Sequence, residues 1–189
     1  DDAHGFGVIG PEGRGSLAHF GLRSARTVYV GTLGKAAGVA GAFVAGEPEV
    51  IETVLQRART YIYTTAAPAM LAAAVEASLE LIRKEGWRRE RLRKLVASLR
   101  QGLGSAGAAL ARSDTPIQPF ILGDNARALD TSAALRERGI LVPAIRPPTV
   151  PEGTARLRIS LSAAHGEQDV SRLVRALREA CPSAAEAHA

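Results

Sequence analysis

Three short segments of this 189-residue chain carry side chains that can do chemistry. DDAHG, at residues 1–5, places acids and an imidazole where a short strand would end. TLGK, at residues 32–35, places a lysine in a glycine turn after an apolar segment. RLR, at residues 156–158, places two arginines on the same face of a segment that alternates with period two.

None of these segments is specific by itself. An aspartate at the end of a strand usually caps a turn, and a histidine near glycines is more often a satisfied surface or core imidazole. The segment GTLGK lacks the four residues between Gly and GK that a phosphate-binding P-loop requires. Two arginines on a strand often only face solvent.

Together the three segments match pyridoxal-phosphate (PLP) chemistry. PLP requires a lysine to form an imine, a carboxylate against its pyridine nitrogen, donors for its phosphate and a cation for the substrate carboxylate. Lys35, Asp1, Thr32 and Arg158 supply that set. The combination predicts a PLP site in which Lys35 holds the coenzyme as a Schiff base.

The elements that must position these residues alternate along the chain. Strands are predicted at 26–31, 41–46, 117–123, 140–146 and 155–162, and helices at 48–60, 68–86, 87–111, 125–139 and 167–180. This order favours an α/β or α+β architecture. Because a polar site at residue 1 would be poorly held, we expect further sequence upstream of Asp1.

Composition excludes several other classes of function. The net charge of +5 comes largely from arginines at helical spacing within residues 87–100, which favours a solvated helix face over a nucleic-acid site. A single cysteine, Cys181, excludes an internal disulfide and a cysteine-based zinc site. No apolar run reaches the roughly 18 to 20 residues of a membrane span. We therefore expect a soluble cytoplasmic protein that binds no metal, nucleic acid or membrane.

Longer motifs carry a family resemblance. They are DDAHGFGVIGPEGRG, TLGK, YIYTTAAP, GDNARAL and AIRPPTVPEGTARLRISLSAAH, which begin at residues 1, 32, 61, 123 and 144. Together they resemble the α-oxoamine synthases, which are fold-type-I PLP enzymes, from residue 1 to about residue 180. The implied fold is α/β and aspartate-aminotransferase-like. Residues 1–85 would form the C-terminal part of the PLP-binding large domain and 86–180 the small α+β domain, followed by a disordered tail at 181–189.

The resemblance also implies a role for each site residue. Asp1 would pair with the pyridine nitrogen, His4 with the phenolic oxygen of the ring, and Thr32 with the phosphate, while Lys35 forms the internal aldimine. Thr64 or Thr65 would reach the phosphate of a partner subunit, because these sites form across a homodimer. Arg158 would bind the amino-acid carboxylate, and Thr149 would also contact substrate.

Within the family, the loop AIRPPTVP at residues 144–151 is similar to the branch that acts in biotin biosynthesis. That branch condenses L-alanine with pimeloyl-CoA, or with a pimeloyl carrier protein, to give 8-amino-7-oxononanoate and CO2. The alternatives are another α-oxoamine synthase, of the 2-amino-3-oxobutyrate or 5-aminolevulinate type, and a non-catalytic dimerising fragment. The phosphate loop and the ring-stacking aromatic residue of the family's earlier half are absent from residues 1–189.

Overall fold

The structure is a computed structural model that describes residues 1–181, with the backbone alone at residues 105, 106 and 108. The predicted tail therefore lies outside the described residues, apart from Cys181. The chain divides into two compact units, Asp1–Arg89 and Glu90–Ala189. The assignment of residues 1–85 and 86–180 to a large and a small domain stays a prediction.

The first unit contains an antiparallel hairpin. Its strands are β1 (Tyr29–Thr32) and β2 (Ala42–Ala45), with Thr32 opposite Ala42. The predicted strand at 26–31 was placed too early. A turn precedes β1, in which the amide of Arg26 donates to the hydroxyl of Ser24 (3.1 Å) and the amide of Thr27 to the Ser24 carbonyl (3.1 Å).

Helices make up most of the rest of this unit. They are α1 (Ser16–His19), α2 (Pro48–Arg57), α3 (Arg59–Ile62) and α4 (Ala69–Lys84), with one 3-10 turn at Pro11–Gly13. Pro48 begins α2, where its missing N–H costs nothing. The predicted helix at 48–60 is broken at Ala58, whose ψ of 98° is extended, and the chain restarts as α3. The predicted helix at 68–86 corresponds to α4.

The remaining elements are α5 (Gly86–Leu103), β3 (Ile117–Gly123), α6 (Asn125–Glu137), β4 (Ala144–Ile145), β5 (Ala155–Ser160) and α7 (Glu167–Ala180). The predicted helix at 87–111 ends at Leu103, and a 3-10 segment, Gly104–Ala109, follows it. Gly104 has a φ of 52°, which favours glycine and interrupts the α-helix. The three strands form an antiparallel sheet in the order β3-β5-β4.

The prediction of a strand over 140–146 was wrong for its first half. Only Ala144 and Ile145 pair with β5. The amide of Ile140 instead donates to the Leu135 carbonyl (2.9 Å), and the carbonyl of Val142 accepts from the Ser132 hydroxyl (2.7 Å). These bonds to α6 occupy polar groups that a longer strand would have offered to the sheet.

The core of the second unit follows the predicted alternation of β5. Ala155, Leu157 and Ile159 are buried, whereas Arg158 is exposed on the other face. Leucines and valines of α5 and α7 pack in the same cluster: Leu95, Leu99, Leu103, Val170, Leu173 and Leu177. Each such side chain contributes about 1.5–3 kcal/mol by burial. The predicted solvated helix face holds in part. Arg91, Arg93 and Lys94 of α5 are exposed, whereas Arg100 is half-buried and donates to the side chain of Gln118 (2.6 Å).

Two further observations apply to the described part of the chain. No helix within residues 1–181 is long and apolar enough to cross a membrane. Among the same residues, no group of three or more His, Cys, Asp or Glu side chains is arranged to hold a metal ion.

Candidate functional site

The DDAHG segment lies beside β1 and forms a turn rather than a strand. The amide of Asp2 donates to the carbonyl of Val30 (2.8 Å), which attaches the segment to β1. The Asp2 carbonyl accepts from the amides of Gly5 (3.1 Å) and Phe6 (3.0 Å), which closes the turn. Asp1 and His4, on either side of this anchor, are both exposed.

Lys35 lies in the loop between β1 and β2, where its side chain is exposed. Its carbonyl accepts from the amide of Gly38 (3.1 Å), and the carbonyl of Leu33 accepts from the amide of Val39 (2.9 Å). The hydroxyl of Ser78 on α4 donates to the carbonyl of Ala37 (2.7 Å). The lysine is therefore carried by a short loop that is attached to a long helix.

A continuous series of contacts joins the lysine loop to the DDAHG turn. Lys35 Nζ lies 3.4 Å from Thr32 Oγ1, and that hydroxyl donates to the Ala3 carbonyl at 3.5 Å. The amide of Ala3 in turn donates to Asp1 Oδ1 at 2.8 Å. The structure thus brings Asp1, Thr32 and Lys35 together, although they are spread over 35 positions of sequence.

A second contact between the same two loops involves Gly7. Gly7 has a φ of 77°, and a Cβ built on it would lie 2.7 Å from the Cβ of Ala36, the residue after Lys35. A side chain at position 7 would push the two loops apart. Glycine at this position therefore allows the left-handed backbone and also the close approach of the two loops.

The threonines of YIYTTAAP lie elsewhere in the first unit. Thr64 and Thr65 are exposed in the loop between α3 and α4, where all of residues 61–70 are exposed. No hydrogen bond among the described residues joins either threonine to the lysine loop. Their predicted role toward a partner subunit stays a prediction.

The remaining predicted site residues belong to the second unit. Arg158 is exposed on β5, and its amide donates to the Pro143 carbonyl (3.0 Å). Arg156 is half-buried, with its Nε donating to the Thr154 carbonyl (2.9 Å). Thr149 is exposed, and its amide donates to the carbonyl of Arg146 (3.0 Å). The two arginines therefore differ. The Arg156 side chain is held by the carbonyl of Thr154, just before β5, whereas the Arg158 guanidinium has no hydrogen-bond partner among the described residues.

Asp2, which its sequence pattern did not single out, carries the most tightly held carboxylate in this part of the chain. Only 6% of the residue is exposed. Its oxygens accept from the Ser16 hydroxyl (2.5 Å), the Ser16 amide (2.8 Å) and the Tyr29 hydroxyl (2.5 Å). Two adjacent aspartates in an extended segment point to opposite sides, and this was the available signal that one of them is buried.

The electrostatics of this cluster favour a charged carboxylate. Burial alone raises the pKa of Asp2, but the hydrogen bonds from Ser16 and Tyr29 outweigh it, so that its pKa lies below the usual 3.8. The same surroundings raise the pKa of the Tyr29 phenol, through its burial and then through its bond to Asp2. The phenol therefore remains a donor and the carboxylate an acceptor at neutral pH.

Comparison with known proteins supports one family. The family model described as aminotransferase class I and II matches residues 1–177. The chain is 60% identical over 187 residues to 8-amino-7-oxononanoate synthase 1 of Polaromonas sp. (strain JS666 / ATCC BAA-500). That match covers 95% of this chain and 46% of the relative, so the chain spans about half the length of the curated protein.

Solved structures give the same result for the fold. A structure of serine palmitoyltransferase (SPT) with a PLP internal aldimine superposes with a TM-score of 0.87 at 32% identity. The match covers 95% of this chain and 46% of that one. The 8-amino-7-oxononanoate synthase of Francisella tularensis superposes with a TM-score of 0.83 at 30% identity, over 95% and 53% of the two chains. The predicted fold-type-I PLP-enzyme architecture and the family resemblance are both confirmed. The chain belongs to the aminotransferase class I and II family.

Proposed function

We propose that this chain is part of a PLP-dependent acyltransferase that condenses L-alanine with a pimeloyl thioester, releasing CO2 and forming 8-amino-7-oxononanoate. The observation that carries the proposal is the series of contacts from Lys35 through Thr32 and Ala3 to Asp1. It links the amine and the hydroxyl at the lysine loop to the carboxylate of the DDAHG turn. The 60% identity to a relative named for this activity supports the choice of substrates.

The residues present fit PLP by the chemistry of their donor set. Lys35 offers an exposed primary amine for covalent attachment, and the hydroxyl of Thr32 lies 3.4 Å from it and can donate to a phosphate oxygen. Asp1 offers a carboxylate for the pyridine nitrogen, and His4 an imidazole for the phenolic oxygen. When bound, PLP supplies an electron sink for the carbon that loses its proton.

The remaining work belongs to side chains of the protein. The Lys35 amine, freed when alanine takes its place, removes the proton from the alanine α-carbon and later returns one to the product. The Asp1 carboxylate would keep a proton on the pyridine nitrogen, and such a contact would stabilise the charge that develops in the transition state. Arg158 binds the alanine carboxylate through its planar guanidinium, and Thr149 contacts the substrate.

The proposal includes the assembly. The working enzyme is a cytoplasmic homodimer in which Thr64 or Thr65 donates to the phosphate bound by the other subunit. Support comes from the exposure of both threonines, together with apolar neighbours such as Tyr63, which is 80% exposed, and Met70, which is 76% exposed. Exposed apolar side chains beside the two threonines favour an interaction surface at this segment.

A second candidate is another decarboxylating condensation of the same family. The TM-score of 0.87 to serine palmitoyltransferase supports this candidate. That structural neighbour is named for a different amino acid and acyl group from those of the 60%-identical relative. The experiment that separates the two is product analysis with the full-length protein. Alanine, glycine and serine are each offered with pimeloyl and palmitoyl thioesters, and the products are identified by mass spectrometry. Turnover with alanine and a pimeloyl thioester is expected, and a product formed only from another pair would contradict the proposal.

A further inference from the structure

Asp2 uses all of its polar groups inside the protein. Its amide and carbonyl bind the backbone of Val30, Gly5 and Phe6, and its carboxylate binds Ser16 and Tyr29. Since the residue is 94% buried, these contacts leave its side chain no open side for a ligand. Any influence of Asp2 on a bound molecule must therefore pass through its neighbours.

The chain is built around this carboxylate. A Cβ placed on Gly5 would lie 2.0 Å from Asp2 Oδ1, and one placed on Gly15 would lie 2.0 Å from Asp2 Oδ2. Gly15 also has a φ of 83°, which disfavours other residues. Two glycines thus bring the backbone against both carboxylate oxygens.

The partners of Asp2 connect it to the elements that carry the candidate site. Ser16 begins α1, and Tyr29 begins β1, the strand that ends at Thr32. Asp1 precedes Asp2 directly, and the Ala3 carbonyl that follows it accepts from Thr32. A displacement of Asp2 would therefore move Asp1 and His4 relative to Thr32 and Lys35.

We infer that Asp2 is a positioning residue for the PLP site: its buried carboxylate, held by Ser16 and Tyr29, sets the place of Asp1 and His4 relative to Lys35. This inference rests on the proposed function, because it requires PLP to bind at Lys35. It adds to that function a residue which touches neither coenzyme nor substrate.

A double-mutant cycle on the full-length protein tests the inference through PLP affinity rather than turnover. The dissociation constant of PLP is measured for the wild type, Asp1→Asn, Asp2→Asn and the double variant, by titrating coenzyme into the coenzyme-free protein. Asp2→Asn is expected to weaken PLP binding about tenfold, since residues in one network are coupled by this order of magnitude. Once Asp1 is misplaced, its own substitution should matter less. The rise in the PLP dissociation constant of the double variant should therefore be at least about fivefold smaller than the product of the two single rises.

The control cycle pairs Asp1→Asn with Asp130→Asn. Asp130 is an exposed aspartate of α6. The effects of Asp130→Asn and Asp1→Asn on the PLP dissociation constant should therefore be independent and multiply. If the Asp2 cycle is also simply multiplicative, Asp2 only stabilises the fold and the inference is overturned. If wild-type protein fails to attach PLP to Lys35, the proposed function itself is wrong, so the two failures are distinguishable.

Tyr29→Phe provides a second test that can be used if Asp2→Asn does not fold. Tyr29→Phe removes one hydrogen bond and retains the carboxylate with both bonds from Ser16. The same cycle is then run between Tyr29→Phe and Asp1→Asn. Coupling between these two positions supports the inference, and independent effects overturn it.

Discussion

The hydroxyl of Tyr29 donates a 2.5 Å hydrogen bond to Oδ2 of Asp2, which ties the start of β1 to the DDAHG turn. The amide and hydroxyl of Ser16 donate to the same carboxylate. A buried carboxylate with this many donors is stable as an anion and loses its partners' bonds when it is protonated. The cluster should therefore make folding stability depend on pH.

The direction of that dependence follows from the lowered pKa of Asp2. Its contribution is fully present above the ordinary carboxyl pKa of 3.8 and is lost as the pH falls through the lower folded value. We expect the difference in unfolding free energy between wild type and Asp2→Asn to shrink as the pH falls from about 6 to about 2. Urea unfolding over this range measures it, with the exposed Asp130→Asn as control. A difference that grows on acidification would show that the cluster does not favour the charged carboxylate.

Gly5 provides a steric test of the same cluster. Gly5→Ala would place a methyl group 2.0 Å from Asp2 Oδ1 and 2.8 Å from Ser16 Oγ. Overpacking of this kind costs about 1–3 kcal/mol of unfolding free energy. Gly34→Ala is the matched control, because nothing lies within 4 Å of the added methyl. Equal stabilities of the two variants in urea unfolding would contradict the close approach at Gly5.

Much of the fold could be predicted from hydrophobic periodicity and from the glycine and proline residues that bound the elements. The final helix corresponds to the predicted residues 167–180, and β3 to 117–123, because each is bounded by strong local signals. The errors arise where tertiary hydrogen bonds compete with the local pattern. Residues 140–143 look like a strand, but Ile140 and Val142 bond to α6 instead of the sheet.

The candidate site was predictable in its residue types but not in its supports. Asp1, Thr32 and Lys35 were singled out because their chemistry is recognisable without a structure. Asp2 was missed because its role depends on Ser16 and Tyr29, which lie 14 and 27 positions away. Such a contact leaves no periodic signal in one sequence. Only the adjacent pair of aspartates and the two glycines that approach the carboxylate hint at it.

Leu157 tests the core of the second unit. It is fully buried on β5, opposite Phe120 on β3 and Ala144 on β4. Leu157→Ala should lower the free energy of unfolding by about 2–5 kcal/mol, through lost burial and the cavity that remains. Leu141→Ala is the control, because Leu141 is 75% exposed. Chemical denaturation that gave both variants the same loss would show that β5 does not face the core.

The two arginines of β5 give a test of the substrate site. Arg158→Lys retains the charge but loses the planar fork, so the apparent affinity for alanine should fall about tenfold while PLP content stays normal. Arg156→Lys should have much less effect, because the Nε of Arg156 is already bonded to the Thr154 carbonyl. Alanine titrations of the two holoenzymes measure the contrast. Equal losses, or a loss at position 156 alone, would remove Arg158 from the proposed site.

Lys35 is the residue on which the proposed PLP site most directly depends, and one measurement tests it. Full-length protein is incubated with PLP, reduced with borohydride and digested, and the modified peptide is identified by mass spectrometry. We predict a PLP-modified lysine at position 35 in the wild type. The same modification is expected in the control variant Lys84→Ala, because wild-type Lys84 only forms a surface ion pair with Glu80. We predict no trapped coenzyme in Lys35→Ala. Trapping at another lysine in the wild type, or undiminished trapping in Lys35→Ala, would contradict the assignment of this chain's PLP site.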